Sequence, residues 1–303
     1  MKAVVYEEFG GPEVLHPGEV DEPHAGPGEI RVAVRAAGVN PFDSKLRRGL
    51  FKPHMPAALP AVPGFEVAGV VDEVGDGVTD FAVGDEVVGW SKTGAYAEYA
   101  LAGTIAKKSA NLPFDEAVAL PVAGETAGRV LRELDLKDGE TVLIHGAAGG
   151  VGAVGVQLAV ALGATVIGTA SEANHDYLRS LGAIPVLYGE GLVDRVRAIA
   201  PQGIDAVFDV VGKGALPDSI ELRGGTDRVI TIADPAAADL GVPFSGGSTT
   251  PEEQAAVLRE QLQLAADGKL KLKVGETFRL GEAAKASEIS EGGHAPGKLV
   301  IQP

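Results

Sequence analysis

The strongest constraint on the fold is a glycine-rich turn between an apolar segment and an uncharged one. Thr141–His145 reads Thr-Val-Leu-Ile-His, which is typical of a buried parallel strand, and Gly146-Ala147-Ala148-Gly149-Gly150-Val151-Gly152 follows at once. Glycines here let the backbone approach a pyrophosphate, which binds the free N–H groups at a helix start. A second predicted strand, Ala164–Ala170, completes the βαβ context. The pattern predicts a dinucleotide site, and a tight turn without a ligand is the alternative.

The regions around this turn differ in their periodicity. Up to about Leu112, short predicted strands such as Glu29–Ala36 and Glu66–Val74 are separated by Gly, Pro and Asp turns, which favours a small antiparallel, partly barrel-like domain. Strands then alternate with short helices, which predicts right-handed βαβ units on a parallel sheet. The tail holds a predicted helix at Glu252–Ala266 and a strand at Lys298–Ile301. We expect this tail to return to the first domain.

Composition excludes several classes of protein. The 303-residue chain has no cysteine, which rules out disulfides, thiolate nucleophiles and cysteine-bound zinc. Its 26 Lys and Arg against 42 Asp and Glu give a formal charge of −16, which disfavours nucleic acid and anionic membranes as partners. Acidic residues stand where a signal peptide would be apolar, and glycines interrupt the uncharged stretch at 146–171. We therefore expect a cytoplasmic protein.

The end of the second strand of the βαβ unit indicates which dinucleotide binds. Sites that prefer NAD carry Asp or Glu there to bind the ribose 2′-hydroxyl, whereas this strand ends Thr169-Ala170-Ser171. Ala170 leaves space and Ser171 offers a donor to a 2′-phosphate, which favours NADPH. Glu172 would repel a phosphate if it faced the pocket, and it fits equally well as a solvent-facing charge at a helix start.

Further motifs occur in a set order along the chain. They are Gly38-Val39-Asn40-Pro41-Phe42-Asp43-Ser44-Lys45, Pro63-Gly64-Phe65-Glu66-Val67-Ala68-Gly69, Gly124-Glu125-Thr126-Ala127, the Gly146–Gly152 turn and Gly297-Lys298-Leu299-Val300. With them the chain resembles, over nearly its whole length, the zinc-free quinone oxidoreductase branch of the medium-chain dehydrogenase/reductase family. The resemblance implies an α/β fold. A Rossmann doubly wound parallel sheet would occupy residues 113–267, and a GroES-like, mostly antiparallel β catalytic domain would comprise residues 1–112 and 268–303.

The resemblance also implies that the site holds no metal. The family's zinc-dependent alcohol dehydrogenases carry a Cys where this chain has Asn40 and a His where it has Phe65. Their further cysteines have no counterpart here, and Phe65 has no nitrogen to offer a metal.

Matching positions in the zinc-free branch imply the catalytic residues. Asn40 and Thr126 would line the nicotinamide end of the site, where Asn40 would hydrogen-bond a substrate carbonyl or the cofactor ribose. Lys45 would stabilise negative charge on a reduced oxygen, and Asp43 would orient Lys45 or the loop. Structural roles stay open, since Asn40 before Pro41 suits a turn, Asp43 suits a helix cap and Lys45 suits a solvated surface.

Cofactor contacts are predicted at the turn, after the second strand and at the carboxyl edge of the sheet. The predicted residues are Ala147, Gly149, Gly150, Val151, Gly152, Ser171, Tyr188, Val211, Gly212, Phe244 and Lys298. Tyr188 matches a tyrosine that contacts the 2′-phosphate in relatives, with a plain surface aromatic as the alternative. Phe244 and Lys298 are predicted on the nicotinamide side.

The predicted function is an NADPH-dependent oxidoreductase of the quinone or enone reductase type, which transfers a hydride to a small electrophilic acceptor without a metal. Conjugated acceptors fit such a site because an alkoxide would lack strong stabilisation. The alternatives are an alcohol dehydrogenase-like activity and a non-catalytic NADPH-binding sensor or structural protein. Relatives commonly dimerise through the edge of the cofactor sheet, so a homodimer is expected. Between Gly212 and Gly247 the chain departs from its relatives, which leaves the physiological acceptor open.

Overall fold

Four strands between residues 30 and 107 form a barrel-like sheet in the computed structural model, which describes residues 1–51, 58–247, 249–293, 295 and 297–303. Two short strands at 2–5 and 16–19 pair with each other in a separate sheet. The chain divides into two compact units. The first unit comprises Met1–Val122 and Pro251–Pro303, and the second comprises Ala123–Thr250.

Strands and helices are numbered in chain order. The strands are β1 (Lys2–Val5), β2 (His16–Glu19), β3 (Ile30–Val39), β4 (Glu66–Val74), β5 (Glu86–Ser91), β6 (Tyr99–Lys107), β7 (Thr141–His145), β8 (Thr165–Ala170), β9 (Ile184–Leu187), β10 (Ala206–Asp209), β11 (Val229–Thr231), β12 (Val274–Arg279) and β13 (Lys298–Gln302). The helices are α1 (Pro41–Arg47), α2 (Phe114–Ala117), α3 (Pro121–Glu133), α4 (Gly150–Ala161), α5 (His175–Ser180), α6 (Leu192–Ile199), α7 (Leu216–Arg223), α8 (Ala237–Leu240), α9 (Pro251–Ala266) and α10 (Ala283–Gly292).

The main sheet of the first unit has the strand order β12-β13-β3-β4-β5-β6, and β3 also pairs with β6. The four strands β3 to β6 therefore close on themselves, and all their pairings are antiparallel. Alternate residues of these strands, such as Val32 and Val34 on β3, point into the core of this barrel. The tail joins the same sheet, because β13 pairs with β3 at Leu299 and Val39.

The limits of the units differ from the predicted domain limits at 112 and 268. Helix α9 packs against β6, so it belongs to the first unit although the prediction gave it to the second domain. The residues up to Val122 also belong with the first unit, because the Val122 N–H donates to the Glu66 carboxylate on β4 at 2.7 Å. Such long-range packing leaves no local signal in the sequence.

The second unit is built on a five-stranded parallel sheet with the order β11-β10-β7-β8-β9. On β10, Val207 packs in a cluster with Leu216 of α7 and Val196 of α6. Its neighbour Phe208 points to the opposite face, where a Cβ on Gly155 of α4 would lie 3.5 Å from its ring. Helices therefore cover both faces, which is the doubly wound arrangement that the sequence predicted.

The register of this sheet brings three strand ends to one edge. His145 ends β7 and pairs with Asp209 at the end of β10, and Asp209 in turn pairs with Thr231 at the end of β11. The chain leaves β7 toward β8 on one side and returns to β10 on the other. The order of connections thus reverses beside β7, and ligands of open parallel sheets bind at such a reversal.

Candidate functional site

The turn predicted to bind phosphate joins β7 to α4. Gly146 has φ +70°, a conformation that favours glycine, and accepts the Gly149 N–H at 3.0 Å. A Cβ on Gly152 would lie 2.9 Å from the Gly146 carbonyl carbon and closer still to its oxygen. A Cβ on Gly150 would meet nothing within 4 Å, and Val151 beside it is half-buried. Helix α4 therefore begins with backbone N–H groups beside open space, as an anion site at a helix start requires.

A chain of hydrogen bonds beneath the turn fixes the protonation state of His145. The Ser219 hydroxyl donates to the Ala215 carbonyl oxygen at 2.6 Å, so it accepts from His145 Nε2 at 3.0 Å. His145 Nδ1 then accepts from the Thr169 hydroxyl at 3.4 Å, and that hydroxyl accepts the Gly146 N–H at 3.1 Å. Burial lowers the pKa of His145, so its ring is neutral at pH 7. The neutral ring holds the first residue of the turn through Thr169.

The end of β8 carries no acidic residue, as the sequence shows. Ala147 of the turn is buried, and its neighbour Ala170 at the end of β8 is buried too. Ser171 is half-buried, and its hydroxyl oxygen accepts from Asn174 Nδ2 at 3.1 Å. Glu172 is exposed and begins a short 3-10 turn. Among the described residues none accepts from the Ser171 hydroxyl, so its hydrogen is available to donate at the position where NAD sites carry an acid.

Tyr188 lies on the loop that follows β9, and 61% of its surface is exposed. The guanidinium of Arg195, on α6, holds the end of β9 and this loop by donating to four carbonyl oxygens: Leu187 at 2.9 Å, Tyr188 at 3.5 Å, Gly189 at 3.2 Å and Glu190 at 2.8 Å. Sequence reasoning did not find Arg195. Its signal was a basic residue on the helix that directly follows the loop.

Asp209 organises the predicted contacts at the end of β10. Its buried carboxylate accepts the N–H groups of Val211 at 3.0 Å and Gly212 at 3.2 Å, and also the Thr231 hydroxyl at 2.7 Å. Gly212 has φ +63°, which favours glycine. Phe244 forms a bridge with Thr231 and is 54% exposed. Val211 and Gly212 are therefore held at the carboxyl edge by one buried acid that the prediction did not include, and Phe244 is held there by its backbone bridge to Thr231.

Thr126 lies on α3 within a polar cluster of the second unit. Its hydroxyl donates to Glu125 Oε2 at 3.4 Å, and Glu125 Oε1 accepts from Arg129 Nε at 2.9 Å. Arg129 also donates to Ser245, and Thr249 donates to Glu125 at 2.6 Å. This cluster holds the segment after β11 on α3, and it was not predicted, because Ser245 and Thr249 are far from α3 in sequence.

In the first unit, Asp43 closes the turn between β3 and α1. Its carboxylate accepts the N–H groups of Asn40 at 2.8 Å and Phe65 at 3.2 Å, with the Tyr96 hydroxyl at 3.5 Å. Burial raises the pKa of Asp43 to about 7, although these N–H donors favour the ionised form. Burial likewise raises the pKa of Tyr96. Asp43 thus joins the backbone at Asn40 to the backbone at Phe65, in the helix-cap and loop roles considered from the sequence.

Asn40 itself belongs to a buried group of three side chains, Asn40, Glu66 and Lys298, which we call the Asn40 cluster. Glu66 Oε2 accepts from Asn40 Nδ2 at 2.8 Å and from the Lys298 ammonium, while Oε1 accepts the Val122 N–H. Lys298 Nζ also donates to Asn40 Oδ1 at 2.8 Å. A buried carboxylate of this kind requires a cation, and Lys298 supplies it.

The remaining catalytic candidate, Lys45, lies half-buried on α1. Asp43 and Lys45 are two positions apart on the helix, so their side chains do not face each other. The carboxylate of Asp43 is engaged by the backbone of Asn40 and Phe65 instead. Glu66 was not assigned a role from the sequence, although it stands in the quoted Pro63–Gly69 motif. Its signal was an acid directly before the uncharged run at 67–71 of β4.

The described residues contain neither a metal-binding cluster nor a membrane-spanning helix. No group of three or more His, Cys, Asp or Glu side chains in the described part of the chain is arranged to hold a metal ion. None of the helices in residues 1–51, 58–247 and 249–293 is both long and apolar enough to span a bilayer.

Two family models match the chain. Residues 26–114 match the alcohol dehydrogenase GroES-like domain, and residues 181–301 match the model described as zinc-binding dehydrogenase. Both matches are consistent with the predicted fold of a GroES-like and a Rossmann domain, which the sheets of the two units confirm.

Whole-length relatives are also found. The human quinone oxidoreductase is 33% identical over 99% of this chain and 97% of its own length, and a 2-haloacrylate reductase from a Burkholderia species is 35% identical over 100% and 99%. Among solved structures, the quinone oxidoreductase of Escherichia coli, complexed with NADPH, has a TM-score of 0.89 and 30% identity, with all of both chains covered.

Proposed function

Because the chain belongs to the quinone oxidoreductase branch of the medium-chain dehydrogenase/reductase family, we propose that it is an NADPH-dependent oxidoreductase of quinones or α,β-unsaturated carbonyl compounds. The observation that carries this proposal is similarity along the whole chain to relatives named for such reductions, one of them solved with NADPH. The side chains in the two units support it separately.

The second unit fits a dinucleotide that carries a 2′-phosphate. The start of α4 offers backbone N–H groups beside open space at Gly150, which suits a pyrophosphate. Ser171 offers a hydroxyl where an acid would repel the 2′-phosphate, and Glu172 is exposed on the turn that follows. When bound, NADPH supplies the hydride. The residues of this unit bind and orient it.

The first unit supplies the group that polarises the acceptor. Reduction of a quinone or enone leaves negative charge on the carbonyl oxygen, and a preorganised N–H donor stabilises that charge where water is excluded. Asn40 Nδ2 carries such N–H groups, and Lys45 on α1 adds a positive charge to the same helix turn. A proton from water then completes the reduction. Asn40 is the residue we propose to contact the acceptor oxygen.

The reaction we propose needs no zinc. Asn40 Oδ1 is the one atom of that side chain with a suitable lone pair for a metal, and the Lys298 ammonium already donates to it at 2.8 Å. A divalent cation there would lie against a buried positive charge. Phe65 has no metal-binding atom, and the chain has no cysteine. Turnover should therefore survive a chelator, and zinc should not be stoichiometric in active protein.

The test is steady-state NADPH oxidation with 9,10-phenanthrenequinone and with simple enones, with NADH and with NADP⁺ plus an alcohol as comparisons. We expect turnover with NADPH and the conjugated acceptors, unchanged by chelator. Tight NADPH binding with no turnover on any acceptor would favour the non-catalytic binding protein instead. Chelator-resistant alcohol oxidation would favour the dehydrogenase activity.

The role of Asn40 is tested by Asn40→Ala, with Asn111→Ala as the matched control, because Asn111 is exposed and bonds only a helix-end carbonyl among the described residues. Loss of one such donor lowers kcat by about a hundredfold or more. NADPH affinity should change much less. Equal losses in turnover and NADPH affinity would contradict the assigned role.

We further propose that the protein is a cytoplasmic homodimer. The described sheet of the second unit has edge strands at β9 and β11, and the resemblance implies a dimer through such an edge. Light scattering after size exclusion would measure the mass of the particle, and a monomer at micromolar concentration would contradict the dimer.

A further inference from the structure

The hydrogen bonds of the Asn40 cluster decide which way round the Asn40 amide lies. A lysine ammonium only donates and an ionised carboxylate only accepts. Lys298 therefore donates to Asn40 Oδ1, and Glu66 accepts one of the two N–H groups of Asn40 Nδ2. The reverse orientation would set two donors against each other and leave two acceptors in contact. The amide is thus held by both its ends.

This orientation leaves one particular atom available. Asn40 Nδ2 has two hydrogens, and within the described residues only Glu66 accepts from it. The second N–H is therefore available to an incoming oxygen, whereas the Oδ1 side is occupied.

The space around the cluster matches this role. Gly38, on β3, faces the Glu66–Lys298 pair, and a Cβ there would lie 2.7 Å from Lys298 Cε and closer still to Glu66 Oε2. Glu66 is also held from its other oxygen by the Val122 N–H at the start of α3. The pair is therefore packed in a single position, with no room for it to move toward β3.

We propose that Lys298 and Glu66 are positioning residues for the reduction, which hold the Asn40 amide with its free N–H directed to the acceptor oxygen. The inference rests on the proposed function. It deepens that function by specifying that the substrate carries an oxygen that accepts a hydrogen bond, such as a quinone or enone carbonyl. The sequence predicted that Lys298 contacts the nicotinamide side of the cofactor, whereas this proposal assigns it the positioning of Asn40.

The first test separates these two roles of Lys298. In Lys298→Met, we expect kcat with 9,10-phenanthrenequinone to fall about tenfold to a hundredfold, since a small misplacement of a reacting group costs that much. NADPH affinity, measured by fluorescence titration, should stay close to wild type. Lys269→Met is the control, because Lys269 is a mostly exposed lysine with an acidic neighbour. An equal loss of NADPH affinity would overturn the proposal.

Lys298→Met leaves the Glu66 carboxylate without its cation and so can weaken the fold. Gly38→Ala keeps both charges and displaces Lys298 Cε and Glu66 Oε2 sterically. We expect it to lower kcat with NADPH affinity nearly unchanged, while the melting temperature falls by only the few degrees that overpacking a buried site costs. Wild-type kcat in Gly38→Ala would overturn the proposal.

A direct readout does not depend on turnover. The chain has three asparagines, at 40, 111 and 174, so selective ¹⁵N-asparagine labelling gives three side-chain amide signals, and Asn40→Ala identifies the one from Asn40. In Gly38→Ala the Asn40 amide protons should shift and exchange faster, while the other two signals stay in place. Unchanged Asn40 signals would overturn the positioning role. If the wild type reduces no acceptor, the proposed function fails, and this spectrum still decides whether the pair orients Asn40.

Discussion

A methyl group added at two glycines of α4 should change stability in opposite directions. At Gly152, a Cβ would lie 2.8 Å from Ala147 Cα and 2.9 Å from the Gly146 carbonyl carbon, both of them backbone atoms. At Gly155, three residues along the same helix, the nearest atom would be Phe208 Cε1 at 3.5 Å, an ordinary van der Waals contact. We therefore expect Gly152→Ala to destabilise the second unit and Gly155→Ala to stabilise it.

The magnitude follows from two terms. Replacing Gly by Ala in a helix gains about 1 kcal/mol in both variants, so this term cancels when they are compared. Moving the rigid turn to admit the methyl group at Gly152 costs about 1–3 kcal/mol. The two variants should therefore differ by about 1–3 kcal/mol in the free energy of unfolding, or very roughly 3–10 °C in melting temperature.

Thermal unfolding followed by circular dichroism measures this difference, and Gly150→Ala serves as a third variant. A Cβ on Gly150 meets nothing within 4 Å, so the melting temperature of this variant should not fall below that of the wild type, while NADPH should bind more weakly if its phosphates approach that backbone. Equal melting temperatures for Gly152→Ala and Gly155→Ala would refute the close approach of α4 to the turn.

Three further predictions concern charge. Arg228 donates to both oxygens of Glu140 at 2.6 and 2.7 Å and lowers its pKa to about 2. Glu140→Gln should thus cost about 1–2 kcal/mol of unfolding free energy above pH 4.5, with the cost vanishing as pH falls toward 2 in acid titrations of stability. The pH dependence that Asp43 contributes has the opposite sign, because burial raises its pKa to about 7. Its contribution to the unfolding free energy is full below about pH 4 and falls by roughly 4 kcal/mol as pH rises through 7. In urea unfolding, the unfolding free energy of the wild type should fall relative to that of Asp43→Asn as pH rises from about 4 to 7. A difference between the two proteins that does not change with pH would contradict the raised pKa. Ser171→Asp should lower the ratio of kcat/KM for NADPH over NADH by about tenfold or more, because the acid repels a 2′-phosphate and binds a 2′-hydroxyl, and an unchanged ratio would count against Ser171 as the selecting position.

Local patterns in the sequence were sufficient for the elements with strong periodicity. Strands β4 and β7 have the predicted bounds, because β-branched runs bounded by turn residues mark buried strands well. Helices α7 and α10 were not predicted. Helix α7 buries Leu216 and Ser219, and α10 buries Ala283, Ala286 and Ser287, so small and polar residues replace the apolar stripe that identifies a helix.

The residues of the candidate site also divide into those with a local signal in the sequence and those without one. The glycine turn and the missing acid after β8 are local features, and both were visible in the sequence. The Glu66–Lys298 pair joins residues that are 232 positions apart, and a pairing of that kind has no local signature. Lys298 was therefore named for a cofactor contact, and Glu66 received no role. Asp209 and Arg195 were missed because each acts on backbone groups, which a reading of side-chain motifs does not consider.

Three buried carboxylates show why net charge says little about such a site. Glu66 is paired with an ammonium, Asp209 is stabilised by two backbone N–H groups and a hydroxyl, and Asp43 accepts N–H groups while burial raises its pKa. Only Glu66 depends on a cation, so only its partner can be removed to leave a full unpaired charge. The formal charge of −16 therefore belongs to the surface, and the chemistry near Asn40 is governed by one ion pair and the amide that it holds.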